Sequence, residues 1–189
     1  GIHKEISSIH ESTRLIMWLE NKMKQLSLAK QDQRFDPPHS TIHVGQIFGG
    51  VATNIVAEYT RFKWDVRVIP KDTIQTIFDD FFAFCKERED EVRKLFPSFK
   101  ITNTLLHPPV PALDTKEIDD IVALTQKICG KRTWKTVAYA AEAGQFHEAG
   151  YQSIICGPGS IEQAHRANEF TTKEQLNKCV EMLKKLIIE

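Results

Sequence analysis

Residues 156–170 read C-G-P-G-S-I-E-Q-A-H-R-A-N-E-F, and the group in them that can do chemistry is His165. An imidazole held in a cleft can ligate a metal or act as a general base. Gly157-Pro158-Gly159 dictates a tight turn, because glycine tolerates positive φ and proline fixes φ. The apolar segment Tyr151 to Cys156 reads as a short buried strand leading into it. The turn therefore delivers Ser160 to His165 just past a strand end, where α/β sheets bind ligands. The same residues also fit a surface histidine after a turn, and a short motif does not decide between the two.

Taken whole, G-P-G-S-I-E-Q-A-H with N-E-F soon after resembles the C-terminal signature of the acetylornithine deacetylase family. That family sits among the two-zinc amidohydrolases, with succinyl-diaminopimelate desuccinylases and aminoacylases. The resemblance spans nearly all of this chain but only about the second half of such an enzyme. It implies that His165 is a ligand of one zinc (or cobalt) ion. The remaining ligands, the bridging aspartate and the general-base glutamate would belong to the N-terminal half. No H-x-D motif and no Glu-Glu pair occurs here. The implied reaction converts N-acetylornithine to ornithine and acetate, a step of arginine biosynthesis, with this chain inactive by itself. The alternatives are succinyl-diaminopimelate or another N-acyl amino acid or peptide as substrate, or a dimerisation module without chemistry.

The resemblance extends to other segments. G-G-V-A-T-N-I-V-A-E, from Gly49 to Glu58, and W-D-V-R-V-I-P after it resemble the strand pair of the family's lid domain. By that resemblance Asn54 and Arg67 help hold the substrate. An arginine fork matches a carboxylate, and an Asn amide both donates and accepts. The bland alternatives are a turn residue for Asn54 and a cross-strand salt bridge for Arg67. A-A-E-A-G-Q-F, from Ala140 to Phe146, resembles the loop beneath the bound substrate. There Glu142 would face an amino group, and Gly144 would let the backbone come close. His3 resembles a histidine downstream of the one that stabilises the oxyanion, and so takes no catalytic role.

Composition bounds the rest. The chain has 189 residues, with 25 basic against 25 acidic, so no net field draws it to nucleic acid or an acidic membrane. Cys85, Cys129, Cys156 and Cys179 are far apart in sequence, which suits buried thiols in a reducing compartment such as the cytoplasm. No apolar run is long enough to span a bilayer. Gly1 opens the chain directly before helical sequence, as expected of a fragment.

Several elements must position these residues. Ile6, Ile9, Thr13, Ile16, Met17, Met23 and Leu26 follow helical spacing over Glu5 to Leu26, leaving His10, Glu11, Arg14 and Glu20 solvated. Thr41 to Phe48 alternates with Ile42, Val44 and Phe48 on one face, so it is a strand. His39 and His43 in this region have no carboxylate partners at ligand spacing. Phe62, Trp64, Val66 and Val68 alternate with Arg61, Lys63, Asp65 and Arg67 in a second strand. Asp72 or Thr73 caps a helix whose stripe is Ile74, Ile77, Phe78, Phe81, Phe82 and Cys85. Phe99 to Leu106 is expected to return as a strand. With one more strand before Gly1, the sheet would have about four. An exposed edge of so small a sheet calls for a partner, and the resemblance implies a homodimer through the lid.

His107 to Leu113, H-P-P-V-P-A-L, reads as a stiff linker between a lid domain at 1–110 and a catalytic part at 111–189. Asp114 and Glu117 form a plausible capping box for a helix using Ile118, Ile121, Val122, Thr125 and Ile128, ended by Gly130. Lys135 to Tyr139 reads as a strand. Thr171 and Glu174 form a second capping box, before a helix with Leu176, Cys179, Val180, Leu183 and Leu186 that should pack on a sheet. The expected fold class is α+β: an antiparallel lid sheet with two helices on one face, then the C-terminal α/β part of a zinc-peptidase-like catalytic domain.

Overall fold

The alternation of apolar and charged residues from Thr60 to Arg67 makes a strand with one half-buried and one exposed face. In the computed structural model, which describes residues 4–131, 133–137 and 139–188, this is strand β2. It pairs antiparallel with β1 (Thr41–Gly49), from Thr41 opposite Arg67 to Gly49 opposite Thr60. Helices α1 (Ser8–Leu28) and α2 (Ile74–Arg93) pack with this hairpin. Leu15, Leu19, Ile42, Ile77, Phe81 and Cys85 form the buried core between them. Trp64 meets Phe81 edge-on, with ring centroids 5.2 Å apart. The chain is thus α+β. It divides into two compact units, Gly1–Pro109 with Thr136–Tyr139, and Val110–Lys135 with Ala140–Glu189.

Three details of the first unit differ from the sequence expectation. Helix α1 buries Glu11, Ser12, Leu15 and Leu19, while Ile9 and Met17 are exposed. Its inner face is therefore rotated from the expected one, and Glu11 is not solvated. Burial of its charge is tolerated because two arginines reach it. In β1 a bulge between Val44 and Gln46 adds one residue to the strand, which reverses the facing of all that follows. Phe48 consequently lies opposite Arg61 on the outer face, with the guanidinium 5.7 Å from its ring, and Ile47 takes the place opposite Phe62. The segment 99–106 pairs with no strand among the described residues. Its backbone bonds instead locally: the Ile101 N–H donates to Glu89 Oε2 at 2.6 Å, and the Phe99 N–H to the Phe96 carbonyl. The sheet among the described residues has two strands.

Helix α2 begins after Thr73, whose side chain makes no cap bond. Asp72 instead accepts the Ser40 hydroxyl at 2.5 Å, while the Ser40 oxygen accepts the Ile69 N–H. The serine thereby ties the end of β2 to the start of α2.

In the second unit, α3 (Asp120–Cys129) starts later than the expected capping box. Its Asp119 carboxylate turns back to accept the Lys116 N–H at 2.8 Å, and Ile118 is 89% exposed instead of facing inward. Gly130 ends the helix in the left-handed region at φ 66, as its lack of Cβ allows. Helix α5 (Lys173–Ile188) is capped by Thr172, whose hydroxyl oxygen accepts the Gln175 N–H at 3.2 Å, and not by Thr171. Glu174 pairs with Lys178 one turn on. Residues 135–137 and 139 carry no strand ladder, and Ala138 lies outside the described residues. Nor do residues 151–156, where the Tyr151 N–H donates to the Phe146 carbonyl at 3.0 Å. The Ser153 carbonyl accepts the Thr115 hydroxyl, and the Gln152 side-chain carbonyl accepts the Ile121 N–H. Helix α5 packs on α3 and keeps Leu176, Val180, Leu183 and Leu186 half exposed.

Candidate functional site

The stretch around His165 is a compact turn. Gly159 holds φ 93, where a Cβ would be strained and would press on Thr171 Oγ1. Ser160 then opens a single 3-10 turn, Ile161–Gln163, and its hydroxyl oxygen accepts the Glu162 N–H. His165 follows with φ 61, and Asn168 with φ 62. A left-handed non-glycine residue costs on the order of 1 kcal/mol, and asparagine bears it more readily than histidine. The His165 N–H donates to Glu169 Oε2 at 3.2 Å, which links the histidine to the N-E-F segment. The imidazole is exposed. Among the described residues, no three His, Cys, Asp or Glu side chains gather into a metal-ligating group.

Glu142 and Gly144 lie in the same unit. Glu142 is exposed and precedes α4 (Ala143–Glu148). Gly144 is buried against the backbone of Pro111, and a Cβ there would run into the Pro111 carbonyl. Its close approach is thus to its own chain.

Asn54 and Arg67 lie in the first unit and stand apart. Asn54 is exposed in the turn joining β1 and β2. Arg67 ends β2 at the opposite end of the hairpin, opposite Thr41. At about 3.3 Å per residue, the eight-residue strand β2 alone spans roughly 23 Å between its end residues. One small ligand cannot bridge so wide a gap within one copy. The Arg67 side chain is 62% exposed, and its Nε lies 3.5 Å from Asp65 Oδ1 on the same face. This ion pair runs along one strand and not across the ladder. His43 sits exposed on that outer face opposite Asp65, and the His39 ring bonds the Ser40 carbonyl oxygen. His3 lies outside the described residues.

Two groupings were invisible in the sequence. Glu11 and Arg88 meet across α1 and α2 at 2.8 Å from 77 positions apart. Cys129, Cys156 and Met182 bring their sulfurs together in the second unit. No spacing rule links such distant residues; only the helix packing does.

Residues 2–93, which include α1, β1, β2 and α2, match the peptidase dimerisation domain family. Over most of its length the chain is also similar to acetylornithine deacetylases. It is 29% identical over 187 residues to that of Pasteurella multocida (strain Pm70), covering 96% of this chain and 45% of that protein. It is 31% identical over 165 residues to that of Erwinia tasmaniensis, covering 87% of this chain and 40% of that protein. The chain therefore spans less than half the length of these curated relatives. No described helix is long and apolar enough to cross a membrane.

Proposed function

We propose that the chain serves a metal-dependent N-acyl amino acid amidohydrolase that converts N-acetylornithine to ornithine and acetate in the cytoplasm. The observation that carries this reading is the similarity over 96% of the chain to a protein bearing that name. Residues 1–110 act as the lid, pairing two copies, and residues 111–189 complete the catalytic domain. His165 is the metal ligand. Its left-handed backbone supports the role, because strain of this kind concentrates at functional sites.

Zinc does not fit this chain by itself. A catalytic zinc takes three protein ligands and one open position, and the chain brings one imidazole to the site. The chain's own residues bind and orient. Arg67 offers its fork to the substrate carboxylate, and the exposed Glu142 offers a counter-charge to the ornithine amino group. Gly144 lets α4 lie on Pro111, which sets where Glu142 projects. Asn54 and Arg67 serve one substrate only if two copies pair antiparallel, with the turn end of one hairpin meeting the Arg67 end of the other.

The test is to express the full reading frame, load it with zinc or cobalt, and compare N-acetylornithine with N-succinyl-diaminopimelate and other N-acyl amino acids. Preferential release of ornithine, lost in His165→Ala, is expected. Failure to hydrolyse any of these substrates overturns the reading. Light scattering checks the pairing, which a monomer at high micromolar concentration overturns.

A further inference from the structure

The second unit holds a cluster of sulfur that the proposed hydrolysis does not use. Cys129 is the last residue of α3, Met182 lies in α5, and Cys156 directly precedes the Gly157-Pro158-Gly159 turn. The Cys129 and Cys156 sulfurs are 3.4 Å apart. Met182 Sδ lies 3.3 Å from the first and 3.5 Å from the second. Three sulfurs at these separations form a nearly equilateral triangle. With sides near 3.4 Å, its centre is about 2.0 Å from each sulfur, against a metal–thiolate bond of about 2.3 Å. Each sulfur has to retreat by only about 0.3 Å to hold an ion at the centre.

We propose that Cys129, Cys156 and Met182 form a three-coordinate site for a soft, thiophilic monovalent cation of the Cu(I) kind. The donor set decides the class of ion. Two thiols and a thioether are soft ligands, which select Cu(I), whereas calcium, magnesium and manganese require oxygen. Structural zinc closes a tetrahedron of nitrogen, sulfur or carboxylate ligands, and no third His, Cys, Asp or Glu joins this group among the described residues.

Binding of the cation forms three metal–sulfur bonds and releases two protons, one from each thiol, with no change of oxidation state. The site then carries one net negative charge. Lys131, whose field already acts on Cys156, offsets it. Without metal, desolvation and the neighbouring Cys129 thiol push the Cys156 thiol up to about 11. Cys156 thus rests as a thiol, and a protonated thiol attacks a disulfide poorly. A bound soft metal removes those protons outright. The site also joins three pieces of the unit: the end of α3, the middle of α5 and the stem of the turn bearing His165. Loading it clamps that stem.

The test uses the 189-residue chain under anaerobic conditions with a phosphine reductant, titrated with Cu(I) against a chromophoric Cu(I) chelator. One Cu(I) per chain is expected. Cys129→Ser and Cys156→Ser should each weaken binding at least about 100-fold, and Met182→Leu about 10-fold, given the ligand roles. Cys85→Ser should leave it unchanged, and Cys179→Ser, whose thiol acts on Cys156 only through its field, should change it far less than the ligand variants. Where a serine variant loses its helical circular dichroism, the unaltered chain gives the answer by alkylation. Cu(I) should protect Cys129 and Cys156 and leave Cys179 reactive. Failure to hold Cu(I) against the chelator overturns the proposal. So does equal loss in Cys179→Ser. None of these outcomes depends on hydrolytic activity, so they stand apart from the test of that function.

Discussion

Arg88 of α2 donates from both Nε and Nη2 to Oε2 of Glu11 on α1, at 3.1 and 2.8 Å. The other carboxylate oxygen accepts Arg14 Nε at 3.1 Å, and the Glu11 side chain is only 5% exposed. Removing one partner of a buried pair strands a charge, which costs about 3–5 kcal/mol, whereas replacing both with apolar groups costs far less. Arg14 still holds the other oxygen, so Arg88→Met should lower the unfolding free energy by less than that, about 2 kcal/mol. Adding Glu11→Met should recover much of the loss. Urea unfolding of the single and double variants checks this, and an additive double variant would show that the pair is not coupled.

Asp32 gives the fold a defined acid sensitivity. Its carboxylate accepts Arg34 Nε at 2.9 Å and Arg34 Nη2 at 2.6 Å. These bonds, opposed by burial, lower its pKa from 3.8 to about 2. A depressed folded pKa contributes stability that is full above the unfolded value and is lost as pH falls through the folded one. Stability should thus decline between about pH 4 and pH 2 on this account. Asp32→Asn should lower Tm at neutral pH and flatten the decline in that window. An unchanged Tm at pH 7 would exclude the pairing as a stabiliser.

Gly144→Ala should destabilise the second unit. The added methyl runs into the Pro111 carbonyl, which is backbone and cannot rotate away. Overpacking of this kind costs about 1–3 kcal/mol. The control is Gly157→Ala, where no atom stands within 4 Å of the added Cβ. Thermal unfolding should separate the two variants clearly.

Arg67→Ala tests substrate binding. If Arg67 holds the substrate carboxylate as proposed, the variant in the full reading frame should cut kcat/KM by about 2–4 kcal/mol of transition-state binding, the range for losing a charge-assisted pair. Folding should hardly change, because the side chain lies on the exposed face. A large fall in Tm instead would make Arg67 a structural residue.

How much of this was legible depended on how local each cause is. Strand β2 was readable because its alternation from Phe62 to Val66 is a property of consecutive residues. So were Ile77, Phe78, Phe81 and Cys85 of the α2 stripe, although Phe82 of the same stripe is exposed, and the stop at Gly130, which answer to helical period and to positive φ. The inner face of α1 was misread because Glu11 is buried by Arg88, a residue from another helix. Phe48 was placed on the wrong face because one bulge residue resets the parity of a strand. Segments 99–106 and 151–156 have strand-like composition, but a strand also requires a neighbour to complete its ladder. At the site, the turn around His165 followed from Gly157-Pro158-Gly159, while the separation of Asn54 from Arg67 needed the hairpin register.

The last prediction is that the chain as given does not hydrolyse N-acetylornithine at an enzymatic rate. A two-metal centre requires several ligands and a bridge, and each ligand contributes both affinity and the geometry that makes bound water acidic. His165 brings one imidazole, and Glu169, the carboxylate bonded to its backbone, faces the N–H and not the ring. The measurement is to incubate the purified chain with zinc or cobalt and N-acetylornithine, then to follow bound metal and released ornithine. Weak metal retention is expected, with ornithine release at the rate of the metal-containing buffer. Turnover near that of the full-length enzyme, with one tight metal pair per chain, would defeat the prediction and assign His165 further partners.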